Sequence, residues 1–140
     1  MRDRDSIQKI FEPLFPGLMG IALVEVTPER VVATLQVRRD LCTTGDAVHG
    51  GALMAFADTL GAVGTFMNLP DGARTTTIES KTNFFRASPP GRLRAEAVPL
   101  HVGRRTIVVQ TTVYTPDGKR AALVTQTQLV IPQERDPQPA

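Results

Sequence analysis

The sequence is poor in residues that bind metals or staple chains, with one cysteine and two histidines in 140 residues. A single thiol, Cys42, cannot form an intrachain disulfide, and a reducing cytoplasm suits such a chain. No activating pattern surrounds Cys42, so it reads as a small hydrophobe rather than a nucleophile. Two histidines and one cysteine give no ligand spacing for a metal, and no metal or cofactor is expected. Segregated charge is lacking too. The formal net charge is +2 and the two signs are interspersed, so no nucleic-acid partner is expected, while an anionic small molecule suits the slight excess. The N-terminus, Met1-Arg2-Asp3-Arg4-Asp5, is charged with no apolar stretch behind it, so no signal peptide is read. The one long apolar run, residues 48–69, contains Asp58, Asn68 and four glycines. Pro70-Asp71-Gly72 closes it, and it reads as a buried helix rather than a membrane span. Repeats and low-complexity segments are also missing. Residues 1–140 therefore read as one domain, with 1–16 and the polar, disordered tail 132–140 peripheral to it.

What is present is 41% hydrophobic and 21% charged, enough to bury a core without staples. Residues 6–11 suit a short helix with Ser6 as N-cap, ended by Pro13 and Pro16-Gly17. Residues 18–26 read as a strand. Thr27-Pro28-Glu29-Arg30 turns into residues 31–37, where Val31, Ala33, Leu35 and Val37 share one face. Residues 38–47 form a loop. A helix runs from about 50 to about 68, apolar on all sides and so expected to be enclosed. Strands follow over 74–85, 92–100, 104–114 and 120–131, separated by Ser88-Pro89-Pro90-Gly91, His101-Val102-Gly103 and the hairpin turn Thr115-Pro116-Asp117-Gly118. Short connections imply that these four pair as an antiparallel meander. The class is α+β: one helix wrapped by a curved antiparallel sheet.

One charge interrupts that helix. If the helix is enclosed, Asp58 is buried with it. An unpaired buried carboxylate is so costly that it must be hydrogen-bonded, shifted in pKa or facing a cavity. Capping a loop, pairing with a basic residue and facing a wet subunit interface stay open beside a catalytic role. His49-Gly50-Gly51 opens the helix. Glycines there leave backbone N–H groups open to an anion or a developing oxyanion, although an ordinary cap has the same look. Gly51 and Asp58 share a face, but seven residues at 1.5 Å rise separate them by roughly 10 Å. A carbonyl held at the Gly50 and Gly51 amides needs its base or nucleophile within about 3–3.5 Å. If both features are catalytic, Asp58 must come from a second chain across a two-fold axis, giving a dimer with two shared sites. Arg86, Arg104 and Arg105 lie at strand ends whose loops can gather on one rim, with a fork of donors suited to phosphate. Solvated rim charge is the bland alternative. His101 reads as a strand-end surface residue. Met54, Leu60, Phe66 and Phe84 are expected to line an apolar pocket.

From His49-Gly50-Gly51 through Asp58 the sequence resembles the hotdog-fold acyl-CoA thioesterases. More narrowly, it resembles the phenylacetate-degradation type within the 4-hydroxybenzoyl-CoA thioesterase superfamily. The resemblance spans residues 17–131. It includes Thr75-Thr76-Thr77-Ile78-Glu79, Asn83-Phe84-Phe85-Arg86-Ala87 and Val102-Gly103-Arg104-Arg105-Thr106. It implies a hotdog fold, a homodimer with a continuous sheet, a dimer-of-dimers tetramer, and hydrolysis of an acyl-CoA in the absence of cofactor, membrane or nucleic acid. By the same resemblance, Asp58 is the catalytic carboxylate, as general base or nucleophile. The Gly50 amide, presented beside His49, polarises the thioester carbonyl, and Thr77 carries the hydroxyl that orients the attacking water. Gly51, Arg86, Ser88, Gly103, Arg104 and Arg105 lie where substrate and the coenzyme A nucleotide rest. Family members often carry Asn six residues before the His; here that position is Thr43, and Thr43 or Asp46 is left to substitute. A non-catalytic acyl-CoA binding or sensing module is the alternative function, and a hydratase on a related fold is a third.

Overall fold

A computed structural model describes residues 2–135. Helix α1 spans Arg4–Phe11. Its cap is Asp3 rather than the expected Ser6: the Asp3 carboxylate accepts from the Ser6 amide and the Ser6 hydroxyl, both at 2.9 Å, which starts the helix two residues earlier. The strand expected from residue 18 begins instead at 21. Residues Phe15–Met19 form a short helix, α2, with Pro16 in its first turn and Gly20 ending it at φ +87°, a conformation that costs glycine nothing. Strands β1 (Ile21–Val26) and β2 (Val31–Gln36) then make the expected hairpin. The expected loop over 38–47 holds a short 3-10 turn at Arg39–Leu41. A miniature ladder of β3 (Cys42–Thr43) and β4 (Ala47–Val48) follows. Helix α3 spans Gly50–Phe66, and β5 (Arg74–Phe84), β6 (Arg92–Val102), β7 (Thr106–Tyr114) and β8 (Arg120–Ile131) complete the chain. Of the tail, residues 136–140 lie outside the described residues.

The six long strands form one antiparallel sheet in the order β1-β2-β6-β7-β8-β5. The four-strand meander is therefore a three-strand one. β5 leaves α3, pairs along β8 at the far edge, and the chain returns through Pro89-Pro90 to place β6 in the middle beside β2. Burial follows the pleat. Val31, Ala33 and Leu35 are fully buried opposite Ala97, Ala95 and Leu93, because side chains of directly opposed residues share one face. That face packs on α3, whose Phe56 and Leu60 are wholly enclosed. Close approach needs small residues. At Gly61 a side chain would run into the buried amide of Gln126 on β8.

The expectation of an enclosed helix fails on one side. Ala52, Leu53, Phe56, Ala57, Leu60 and Val63 are buried, but Gly51, Met54, Asp58 and Phe66 are exposed, with Ala55 and Ala62 half-buried between them. The sheet covers one side of the cylinder and leaves a stripe bare, and Asp58 stands on that stripe rather than in the core. The two sheet edges also differ. At β1 the side chain of Gln8 donates to the Ile21 carbonyl (3.0 Å) and accepts from the Leu23 amide (2.7 Å), so α1 closes that edge. β5 shows its outer edge, and most of its side chains, to solvent. Among the described residues no helix is long and apolar enough to cross a membrane.

Candidate active site

The start of α3 is anchored from both sides. The Val48 amide donates to the Ser88 carbonyl and the His49 amide to the Leu41 carbonyl, each at 2.9 Å. His49 is the N-cap, extended at φ −60°, ψ 134°. Its carbonyl accepts from the Ala52 and Leu53 amides, and its ring Nδ1 accepts from the Gly51 amide at 2.8 Å. An accepting Nδ1 places the neutral ring's proton on Nε2. The first N–H groups of a helix have no intrahelical acceptor. Here the residues after the cap are served by His49, and the Gly50 N–H is the one with no acceptor among the described residues. The two glycines have separate reasons. A Cβ on Gly51 would sit 2.9 Å from His49 Nδ1 and disturb the cap, whereas one on Gly50 would sit 3.3 Å from the ring of Phe84.

Gly50 opens onto a cavity of about 380 Å³ shared with Thr43, Phe84, Phe85, Arg86 and Ser88. The end of β5 and the loop after it thus bring Arg86 to the helix start. Ser88 is buried, and its hydroxyl donates to the Pro89 carbonyl at 3.1 Å; its own carbonyl holds Val48. Asp58 faces a different cavity, of about 460 Å³, walled by Ile10, Phe11, Phe15, Ala62 and Phe66. Although exposed on the stripe, the carboxylate is partly screened from water by these apolar groups, and that partial desolvation raises its pKa above the ordinary value. No ion pair or hydrogen bond engages that carboxylate among the described residues. Gly50 and Asp58 are eight residues apart, roughly 12 Å along the axis. One chain does not bring them to a common carbonyl.

Thr77 lies on β5 opposite Gln128, whose Nε2 donates to the Thr77 Oγ1 at 2.7 Å. A bulge between Thr77 and Glu79 adds Ile78 to the strand, so that Thr77 and Phe84 both turn toward α3 despite their odd separation. Gly103, Arg104 and Arg105 sit at the β6–β7 turn, where the Arg105 carbonyl accepts from Val130 at 2.8 Å. Val130 pairs with Thr75, at the start of β5, and Phe84 is at its end. The eleven residues from Arg74 to Phe84 span roughly 33 Å. The expected single rim is therefore two opposite rims within one chain, with Arg86 on one and Arg104 and Arg105 on the other. The apolar-pocket expectation divides as well. Phe66 lines the Asp58 cavity, Phe84 lines the Gly50 cavity and Met54 is exposed on the bare stripe. Leu60 is sealed in the core and lines neither. Sequence reasoning missed the contribution of α1 and α2 to the wall beside Asp58, and it missed Gln128. A glutamine on the buried face of an alternating strand was the visible signal for the latter.

A family model described as the Thioesterase superfamily matches residues 45–122, more than half of the chain and the part that holds Gly50, Asp58 and Thr77. The chain belongs to the thioesterase superfamily. The proofreading thioesterase EntH of Cronobacter sakazakii is 28% identical to it over 102 residues, covering 73% of this chain and 74% of that one. A thioesterase of Haemophilus influenzae superposes with a TM-score of 0.89 over 95% of this chain and 93% of the other; at 22% identity this is a likeness of fold. The phenylacetic acid degradation protein PaaI of Thermus thermophilus, in a mutant form, superposes with a TM-score of 0.75 at 28% identity, covering 82% of this chain and 96% of that one. The six-stranded sheet on its long helix is the hotdog fold, and this thioesterase is a thioester hydrolase.

Proposed function

We propose that this thioesterase hydrolyses an acyl-CoA, and that each active site joins Gly50 of one chain to Asp58 of another. The carrying observation is the pairing, on one helix, of an unengaged Gly50 amide with a carboxylate on the bare face, too far apart to serve one carbonyl. Two α3 helices laid antiparallel, bare stripe to bare stripe, bring each amide to the other chain's carboxylate. β5 supports the same assembly, since an open, extended edge invites pairing with its own copy. Antiparallel pairing of two β5 edges also carries Arg104 and Arg105 of one chain to the rim where the other has Gly50 and Arg86. That gathers the guanidinium groups around the phosphates of coenzyme A. Two such dimers form the tetramer. The cytoplasm, where coenzyme A thioesters coexist with unpaired thiols such as Cys42, is the compartment implied.

The chemistry then balances simply. The Gly50 N–H, at the positive end of α3, polarises the thioester carbonyl and receives the developing oxyanion. Asp58, its pKa raised by partial desolvation, takes a proton from a water held by Thr77 as the oxygen adds to the carbonyl carbon. Collapse breaks the C–S bond, the proton held by Asp58 passes to the departing sulfur, and coenzyme A thiol and the free acid leave. In the nucleophilic variant Asp58 itself adds and water opens the anhydride; a single turnover in ¹⁸O-water labels the Asp58 carboxylate only in that case. The test is thiol release from acetyl-, octanoyl-, palmitoyl- and benzoyl-CoA. Asp58→Asn is expected to lose at least about 100-fold in turnover with the oligomer unchanged. Wild-type rates for Asp58→Asn across the whole panel would sink the mechanism.

A further inference from the structure

We infer that Gln128 is a positioning residue that sets the direction of the Thr77 hydroxyl; the inference rests on the role given to Thr77 above. The core-facing register of β8 runs Ala122, Val124, Gln126, Gln128, Val130, and all five are buried. An amide in such a row is an expensive choice where a leucine would pack at no polar cost. Gln128 is 1% exposed and engaged at both ends. Its Nε2 donates to Thr77 Oγ1 at 2.7 Å, and its Oε1 accepts from Thr75 Oγ1 at 3.1 Å. The Thr75 hydroxyl also lies 2.9 Å from the Leu129 carbonyl, which ties this end of the amide to the strand itself.

The consequence is directional. An amide nitrogen only donates, so Thr77 cannot give its proton back to Gln128. One lone pair of Thr77 Oγ1 is filled from behind, and the hydroxyl proton must point away from the core. Being charged from behind, that proton is also a better donor, because linked hydrogen bonds polarise one another. The bulge at Ile78 serves the same end. It leaves Thr77 on the Gln128 side of the strand while Ser80, Thr82 and Phe84 stay on that face too. Thr77 is thus presented by the ladder from beneath, with its donor fixed before any substrate arrives.

The experiment is a double-mutant cycle on Gln128→Leu and Thr77→Val, read on the acyl-CoA of the panel that the wild type cleaves fastest. Gln128→Leu is expected to lower kcat by about tenfold, with KM within about twofold, the loss expected from one directed hydrogen bond. In the Thr77→Val background the same change is expected to cost nothing further. Gln128→Glu adds a signature that a packing role would not produce. An ionised carboxylate accepts the Thr77 proton and turns it inward, so activity relative to wild type at the same pH falls as pH rises through the Glu titration and recovers below it. If Gln128→Leu does not fold, the pH profile of Gln128→Glu decides. A lowered melting temperature with unchanged kcat, or equal losses in both backgrounds, overturns the inference and leaves the Asp58 reading intact. Full activity of Thr77→Val overturns the inference as well, and the hydrolytic reading then stands or falls separately on Asp58→Asn.

Discussion

Shared sites make a quantitative demand on mixed dimers. Gly50→Pro deletes the one backbone donor proposed to meet the oxyanion, and the structure is ready for the change. Gly50 is the first residue of α3, where proline's missing N–H breaks no helical bond and its fixed φ suits the turn. His49, at φ −60° and ψ 134°, already has the extended backbone that a residue before proline requires. The cost is contact with the half-exposed Phe84 ring, 3.3 Å from a Cβ at this position. Loss of an oxyanion donor lowers turnover by about 100- to 1000-fold, and Asp58→Asn by a comparable factor. Each variant alone should keep at most about 1% of wild-type activity. Mixing the two chains equally makes half of the dimers heterodimers. In each heterodimer one site takes both damaged groups and the other takes Gly50 and Asp58 intact. Activity should climb to about one quarter of wild type. Thiol release from the co-expressed mixture measures this, the doubly tagged heterodimer isolated from it should reach about one half, and Gly50→Ala, which keeps the N–H, controls for bulk beside Phe84. Recovery no greater than the residual rate of the parents, in a preparation shown to contain heterodimers, refutes the shared site.

Four further outcomes follow from the geometry. Partial desolvation raises the Asp58 pKa, so the acid limb of kcat/KM should lie above the ordinary carboxylate value and vanish in Asp58→Asn. A folded-state pKa above the unfolded one means that this group's stabilising contribution is full below the unfolded value and is lost as pH rises through the folded one. Asp58→Asn should therefore melt higher than wild type at pH 7 and level with it in acid below the titration of an unfolded carboxylate; a lower melting temperature at pH 7 contradicts this. Gly61→Ala gains about 1 kcal/mol of helix propensity but drives a methyl into the Gln126 amide, an overpacking cost of up to about 3 kcal/mol. Denaturant unfolding should show a net loss of about 2 kcal/mol, and a more stable Gly61→Ala would mean that α3 and β8 are not so close. Replacing Arg104 and Arg105 together by alanine should raise KM several-fold with kcat spared, an effect that added salt diminishes; an unchanged KM removes them from the coenzyme site.

Local chemistry made much of this fold readable. The alternation Val31, Ala33, Leu35 named its own buried face, and His49-Gly50-Gly51 marked the first turn of α3. What escaped the sequence was decided at a distance. Nothing within residues 74–84 says that β5 pairs with β8 rather than β6, because the choice belongs to the path of α3 across the sheet. The bare stripe was invisible for a different reason. A residue such as Met54 is apolar whether it meets its own sheet or another chain, and a helix with both kinds of contact looks uniformly apolar. Asp58 broke the pattern, and a burial argument singled it out but put it in the core, whereas it stands on the bare stripe. The five residues of Phe15–Met19 are too few to show a period, which hid α2. Thr77 was legible as a hydroxyl on a strand, whereas its bond to Gln128, 51 residues away in sequence, was not.

The Gln8 side chain at β1 has a bearing on how many copies can assemble. A sheet with two open edges accepts a neighbour at each, and every added copy offers a fresh edge, which is the route to an endless ribbon. In this chain one edge is occupied by an amide that imitates the missing strand, giving to the Ile21 carbonyl and taking from the Leu23 amide. In the proposed dimer joined along β5, each copy turns its Gln8-capped margin outward, so a single glutamine on a short helix takes the two backbone positions at the start of β1 through which a further strand would add.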